Sequence, residues 1–217
     1  MISFADIQDR IIDARSDKIG RESQLAFQIA ARRLAVETLG LFEVVTFTAV
    51  AGSKSDVVYD PDTVTDKVSI HIFKAEAMIS SGLWAALTLL NQRDESEFTR
   101  EAVPQSGTLH SFTTSQGLFV PHNPPLVDTQ VRAVVAYKPV GDFDEVNFGP
   151  GYEDALVEGA LSHLFRLAGP EKSMRDAEDS ERKFQCMSGT LRALELIGDA
   201  GNTSAQPCRS HFNRGEW

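Results

Sequence analysis

The chain has 217 residues, enough for one domain with a substantial core. Its formal net charge is −10, with 42% hydrophobic and 24% charged residues, a globular balance tipped towards acid. That balance excludes a general grip on nucleic-acid phosphates, which needs clustered Lys and Arg, but would let DNA pass close by without sticking.

From the N-terminus, Ser3 to Lys18 reads as a helix. Ser3 can cap it, Asp6 follows three residues later, and Phe4, Ile7, Ile11 and Ile12 recur at helical spacing. The opening "MISFADIQDR" has no basic region and no long apolar run, so no signal peptide is expected. Gly20 breaks the pattern. Arg21 to Leu39 is a second helix, with Leu25 and Ile29 on one side and Phe27, Ala31, Leu34 and Ala35 on the adjoining one. Gly40 is placed as its C-terminal cap, so the two helices form a hairpin.

The period then changes to two. "FEVVTFTAV" (Phe42 to Val50) is rich in β-branched and aromatic residues and reads as a strand. "KVSIHIFKAEAM" (Lys67 to Met78) puts Val68, Ile70 and Ile72 on one face. "TQVRAVVAYKP" (Thr129 to Pro139) alternates Val131, Ala133, Val135 and Tyr137. Between the last two, "GLWAALTLL" (Gly82 to Leu90) is the most apolar run. It reads as a buried strand or core helix segment, well short of the roughly 18 residues of a membrane span. "NQRDESEFTRE" is charged and suits a short helix, and "SQGLFVPHNPPLVD" a short strand and a proline-bounded loop.

Helix returns at Tyr152. Leu156, Ala160, Leu164 and Leu167 form one stripe; Val157, Leu161 and Phe165 form the next. "AGP" (Ala168 to Pro170) stops this helix. A last long helix covers about Glu171 to Ile197, with Phe184, Met187, Leu191 and Leu194 repeating by three and four, and Gly198 ends it. Asn202 to Trp217 is a polar tail, read as flexible, with too few apolar residues for a core of its own. The order is α-α, β, α-α, tail, which is the signature of an α+β fold.

The candidate sites are thin. "GPGYEDALVEGALSHLF" (Gly149 to Phe165) opens like a glycine-rich phosphate loop. A dinucleotide fingerprint would need Gly at position 154, which is Asp, and Glu153 and Asp154 would meet the phosphate with like charge. The stretch is better read as a helix start, with Gly159 and Ala160 there for close packing. Cys208 and His211 make half a zinc site, and "DPDTVTD" (Asp60 to Asp66) lacks the Gly and Glu of a calcium loop. Cys186, beside the apolar stripe of the last helix, reads as a core thiol. The two cysteines give no disulfide framework and suit a reducing compartment. No catalytic, metal or cofactor residues are assigned, and no enzyme is expected.

The segment order goes further. The chain resembles the head-to-tail adaptor (connector) proteins of tailed bacteriophages over roughly residues 4 to 197. The likeness rests on five features. They are the helical start through "AARRLAVETLGLF" (Ala30 to Phe42), the strands around "VVYDPDTVTDKVSIHIFKAEAM", "GLFVPHNPP" with the strand "VRAVVAYKPVGDFDEV", the helix "YEDALVEGALSHLFRLAGP", and the closing amphipathic helix with its tail. "GLWAALTLLNQRDESEFTRE" and "PEKSMRDAED" depart from the family's pattern. The resemblance implies one domain over residues 1–201. Its helical core of about four helices (3–39 and 151–198) carries a β-rich insertion at 41–140 and is followed by a tail at 202–217.

It also implies a structural virion protein of the neck, assembled in the host cytoplasm and touching no membrane. The protein would form a homo-oligomeric ring, a dodecamer, docked on the portal protein and bound to a tail tube or nozzle protein. DNA would pass through the ring without sequence readout. The C-terminal segment of such adaptors reaches the portal, which makes Phe212 and Trp217 the anchors expected here, while Gly159, Ala160 and Leu164 would pack helices. A head-completion or stopper protein of the same neck is the nearest alternative; a small metal-dependent hydrolase and a nucleic-acid-binding protein are the others.

Overall fold

A computed structural model describes residues 1–14, 20–60, 62, 64–90, 109–149, 151–167 and 171–200, with side chains at all but 14, 171–173 and 195–200. The elements are β1 (Ile2–Ser3), α1 (Phe4–Ala14), α2 (Arg21–Thr38), β2 (Phe42–Ala49), β3 (Lys67–Ser80), β4 (Leu83–Leu89), β5 (Ser111–Ser115), β6 (Leu118–Pro121), β7 (Thr129–Pro139), β8 (Glu145–Val146), α3 (Glu153–Leu167) and α4 (Glu171–Ala200). This is a mixed α+β fold. The charged stretch 91–101, "AGP" and the tail lie outside the described residues.

Local chemistry sets the helix boundaries. Ser3 and Asp6 cap α1 reciprocally: Ser3 N donates to Asp6 Oδ2 at 2.8 Å, and Asp6 N donates to Ser3 Oγ at 3.3 Å. At the end of α2 the left-handed residue is Leu39, with φ 57°, and not the expected Gly40. Thr38 stabilises that end by donating to Leu34 O at 2.7 Å and accepting from Gly40 N at 3.1 Å. Gly40 is needed for close approach instead. A Cβ there would collide with the Tyr152 ring, which stacks on Phe148 at 4.7 Å. α4 runs through Gly198 to Ala200, so that glycine does not end it. "GLWAALTLL" is a strand, and among its large residues only Leu87 is buried.

Six strands form one sheet in the order β2-β7-β3-β4-β5-β6, antiparallel except for a short parallel β4–β5 pairing. β1 and β8 form a separate two-stranded ribbon. The sheet curls: Asp56, after β2, exchanges both backbone hydrogen bonds with Phe119 on β6, at 2.8 and 3.0 Å. Its inner face is filled by Ile72, Val131, Val135, Phe112 and Phe119, all fully buried, with Phe47 edge-on to Phe119 at 5.3 Å. The alternation expected for β7 is what closes this core. The alternation expected for β3 fails, because bulges after Ser69 and Ile72 reset its register. Ile72 therefore points inward, while Val68 is exposed.

The tight β5–β6 turn places Gly117, with φ 78°, against the backbone carbonyl of Ser69. Gly117→Ala adds a left-handed backbone penalty to that clash, and we expect it to lower stability by about 2 kcal/mol. Urea unfolding of the variant against wild type measures it.

The helices pack at the α2, α3 and α4 seam. The inward rows are small: Ala26, Ala30, Ala31 and Ala35 on α2, and Gly159 and Ala160 on α3, with Phe27, Leu34, Leu156 and Leu164 filling the remaining space. One continuous apolar core joins this seam to the interior of the sheet.

Candidate functional site

Three places combine polar groups with defined geometry. The first is the helix seam. Glu181 on α4 receives two hydrogen bonds from Arg33 on α2, at 2.6 and 3.1 Å, one from Ser162 on α3 at 2.8 Å and one from Gln185 at 3.0 Å. Arg166 adds a contact at 3.2 Å. With its side chain only 14% exposed, this carboxyl is held at a pKa of about 2, chiefly by the Arg33 hydrogen bonds against the opposing effect of burial. The Arg33 guanidinium also lies 4.5 Å over the Phe184 ring. His163 nearby is pushed below its ordinary value by burial, then by Arg166 and Arg33. Every charge here is engaged across three helices, which describes a structural joint.

The second is at one end of the curled sheet. Glu43 accepts from Tyr59 Oη at 2.9 Å and from Lys67 Nζ at 2.7 Å, and Lys67 lies 4.8 Å over the Tyr137 ring. A cavity of about 380 Å³ opens beside them, lined largely by Val57, Val58, Val64, Val68, Leu118 and Val140. Burial and the Glu43 hydrogen bond raise Tyr59 far above its ordinary value. Burial pulls Lys67 down most strongly, but the Glu43 hydrogen bond together with the charge interactions of Glu43, Tyr137 and Asp66 raises it above its ordinary value and keeps it charged. Both donors hold their protons through neutral pH, so neither is a base poised for proton transfer.

The third is the outer face of the sheet. Register sets Phe42, Ala136 and His71 in one row, Val44, Val134 and Lys74 in the next, and Thr46, Arg132, Glu76 and Ala86 in a third. Phe42 is 52% and Val44 65% exposed. Phe73, in the second bulge, meets Phe42 edge-on at 6.3 Å and His71 at 5.1 Å. Arg132 pairs with Glu76 at 2.5 Å and lies 4.8 Å over Trp84. Burial lowers the His71 pKa, with Arg192 on α4 as the second cause, so the later turns of α4 approach this face. Ser188 Oγ donates to Glu37, one residue before α2 ends, at 2.7 Å. The rest of α4 continues about 18 Å beyond that point, carrying Leu194 at 59% exposure.

The sequence-chosen residues fall out as follows. Gly159 is closed in between helices: a Cβ there would sit 2.9 Å from Phe184 and 3.0 Å from Ala30. Ala160 and Leu164 are fully buried on the same helix. Phe212, Trp217, Cys208 and His211 lie outside the described residues. Cys186 is exposed and is no core thiol. The inward row of α4 is Ala177, Ser180, Phe184 and Ser188, and Cys186 stands two residues from each of the last two, on the other side. Gly151 takes φ 95° ahead of α3, and Asp154 in its first turn pairs with Arg10 at 2.7 Å. Glu158 meets Lys183 at 3.3 Å. Among the described residues, no group of His, Cys, Asp and Glu is arranged to hold a metal ion.

The polar joint at Glu181 was missed from sequence. Its signal was faint: Arg33 and Glu181 are separated by 148 positions, and each reads as an ordinary solvated charge on its own helix. Compared with known proteins, the chain matches no family model and no curated sequence.

Proposed function

We propose that the chain is a non-enzymatic structural protein of the phage head-to-tail adaptor type, a ring subunit that docks on a portal and passes DNA through its channel. The observation that carries this reading is the way the two ends of the chain meet. α2 packs on α3 and α4 through Ala30, Gly159 and Phe184 and through Arg33 and Glu181, while every strand of the large sheet falls between them in sequence. A helical core with an inserted β-rich extension is the architecture that the family resemblance implies. The acidic balance suits a channel wall that does not hold DNA. The protruding end of α4 leads into the segment 202–217, whose Phe212 and Trp217 would anchor on the portal and order on binding.

Mixing the protein with isolated portal rings and imaging by negative stain tests this reading. A second ring stacked on the portal is the expected result, and portal rings without it would overturn the reading. Removing 202–217 should leave the fold intact by circular dichroism and abolish docking. Unchanged affinity of the truncated protein would remove the tail from the docking role.

A further inference from the structure

We propose that the outer face of the sheet docks a second copy of this chain, taking up the acidic segment at 142–145 in a head-to-tail contact. The inference deepens the ring reading above and rests on it: it names the contact between neighbouring subunits.

The face itself is built for an apolar partner bearing negative charge. Phe42 and Val44 stand more than half exposed on β2, which is also an edge strand of the sheet. Lys74 lies in the same row as Val44, and Lys138 lies opposite the exposed Val68. Neither lysine has an ion-pair partner among the described residues, whereas Arg132 is engaged by Glu76. In a chain of net charge −10, this face thus carries two ammonium groups without an ion-pair partner among the described residues, around an apolar centre.

The complement is on the chain itself. Asp142, Asp144 and Glu145 are exposed where β8 joins β1, beside Asp6 and the acidic first turn of α3. Two nearby guanidinium groups are committed elsewhere, and the Met1 ammonium acts on Asp6. Arg10 pairs with Asp154, and Arg32 donates to the carbonyls of Pro139 and Gly141 while lying 5.4 Å over the Phe143 ring. The carboxylates at 142 and 145 are therefore left to attract a partner. The two patches share no residue, so the contact is heterologous, and repetition closes it into a ring or extends it into a filament. Opposed potentials of this kind fix register and orientation, and salt weakens them.

Sedimentation velocity on the chain alone, over a concentration series at low salt, tests this contact. Wild type should associate. Lys74→Glu with Lys138→Glu should weaken association at least ten-fold, and so should Asp142→Lys with Glu145→Lys. An equimolar mixture of the two variants should associate again, because each reversed patch then meets its opposite. Zero-length carboxyl–amine coupling between isotopically distinct wild-type copies should join Lys74 or Lys138 to carboxylates at 142–145.

Monomeric wild type at every concentration, variants that associate as wild type does, a mixture of folded variants that stays apart, or absent couplings would each overturn the proposal. So would a single-stranded oligonucleotide that binds the wild-type face, is lost with Lys74→Glu and Lys138→Glu, and finds no self-association there. No portal is present in this test, so its outcome and that of portal docking are separable.

Discussion

Phe184→Ala should lower the unfolding free energy by about 4 kcal/mol, the cost of emptying a fully buried aromatic site. The ring fills the gap between α3 and α4, and Arg33 covers it. Removal therefore takes away packing, a cation–π contact and part of what orients the Arg33 guanidinium towards Glu181. Gly159 faces the same ring and gives a sharper test. Gly159→Ala gains roughly 1 kcal/mol of helix propensity but drives a methyl to 2.9 Å from Phe184. Overpacking of that kind costs about 1–3 kcal/mol, so a net loss near 1 kcal/mol is expected in wild type. In the Phe184→Ala background the ring is gone and only the 3.0 Å approach to Ala30 remains, so the same change should cost clearly less than in wild type. Urea unfolding of the four proteins closes a double-mutant cycle, and the coupling should exceed about 1 kcal/mol. Additive effects would mean that Gly159 is not held by Phe184.

The residues of this seam were legible in the sequence to different degrees. Helical spacing in α2 and α3 showed Phe27, Leu34, Leu156 and Leu164 as one apolar side, because burial repeats every three or four residues. Alternation in β7 was equally plain. β3 was not, because each bulge adds a residue that pattern counting cannot see, so Val68 and Ile72 were put on one face. Leu194 fits the apolar repeat of α4 and yet is exposed, since periodicity cannot tell where a long helix outruns its neighbours. The outer face was invisible for a related reason. Phe42 and Val44 look like core residues in a strand whose two faces are both apolar. Which face is covered depends on how the sheet curls and on which segment, here that around Asp56, closes it.

Acid should loosen the protein in two stages, and the charged joint sets the deeper one. The Glu181 carboxyl titrates at about 2 in the folded chain against an ordinary 4.5. A depressed folded value means that the unfolded chain binds the proton more readily, so Glu181 stabilises fully above 4.5 and loses that contribution as pH falls towards 2. Allowing for screening by solvent, the contribution is ~2 kcal/mol. His71 and His163 are also lowered, chiefly by burial, so they too are stabilising in their neutral forms. Their contribution is complete above about 6.5 and fades as pH drops below it. Stability measured by thermal unfolding from pH 8 to 3 should therefore decline gently below 6.5 and steeply below 4.5. Glu181→Gln should cost about 2–3 kcal/mol at pH 7, because it removes the two-pronged charged partner of Arg33 and leaves only the longer Glu37 pair at 3.6 Å. That difference should shrink as pH falls, since a protonated carboxyl and an amide offer Arg33 equally little. A variant whose deficit stays constant down to pH 3 would show that the Arg33 pairing is not what holds the three helices together.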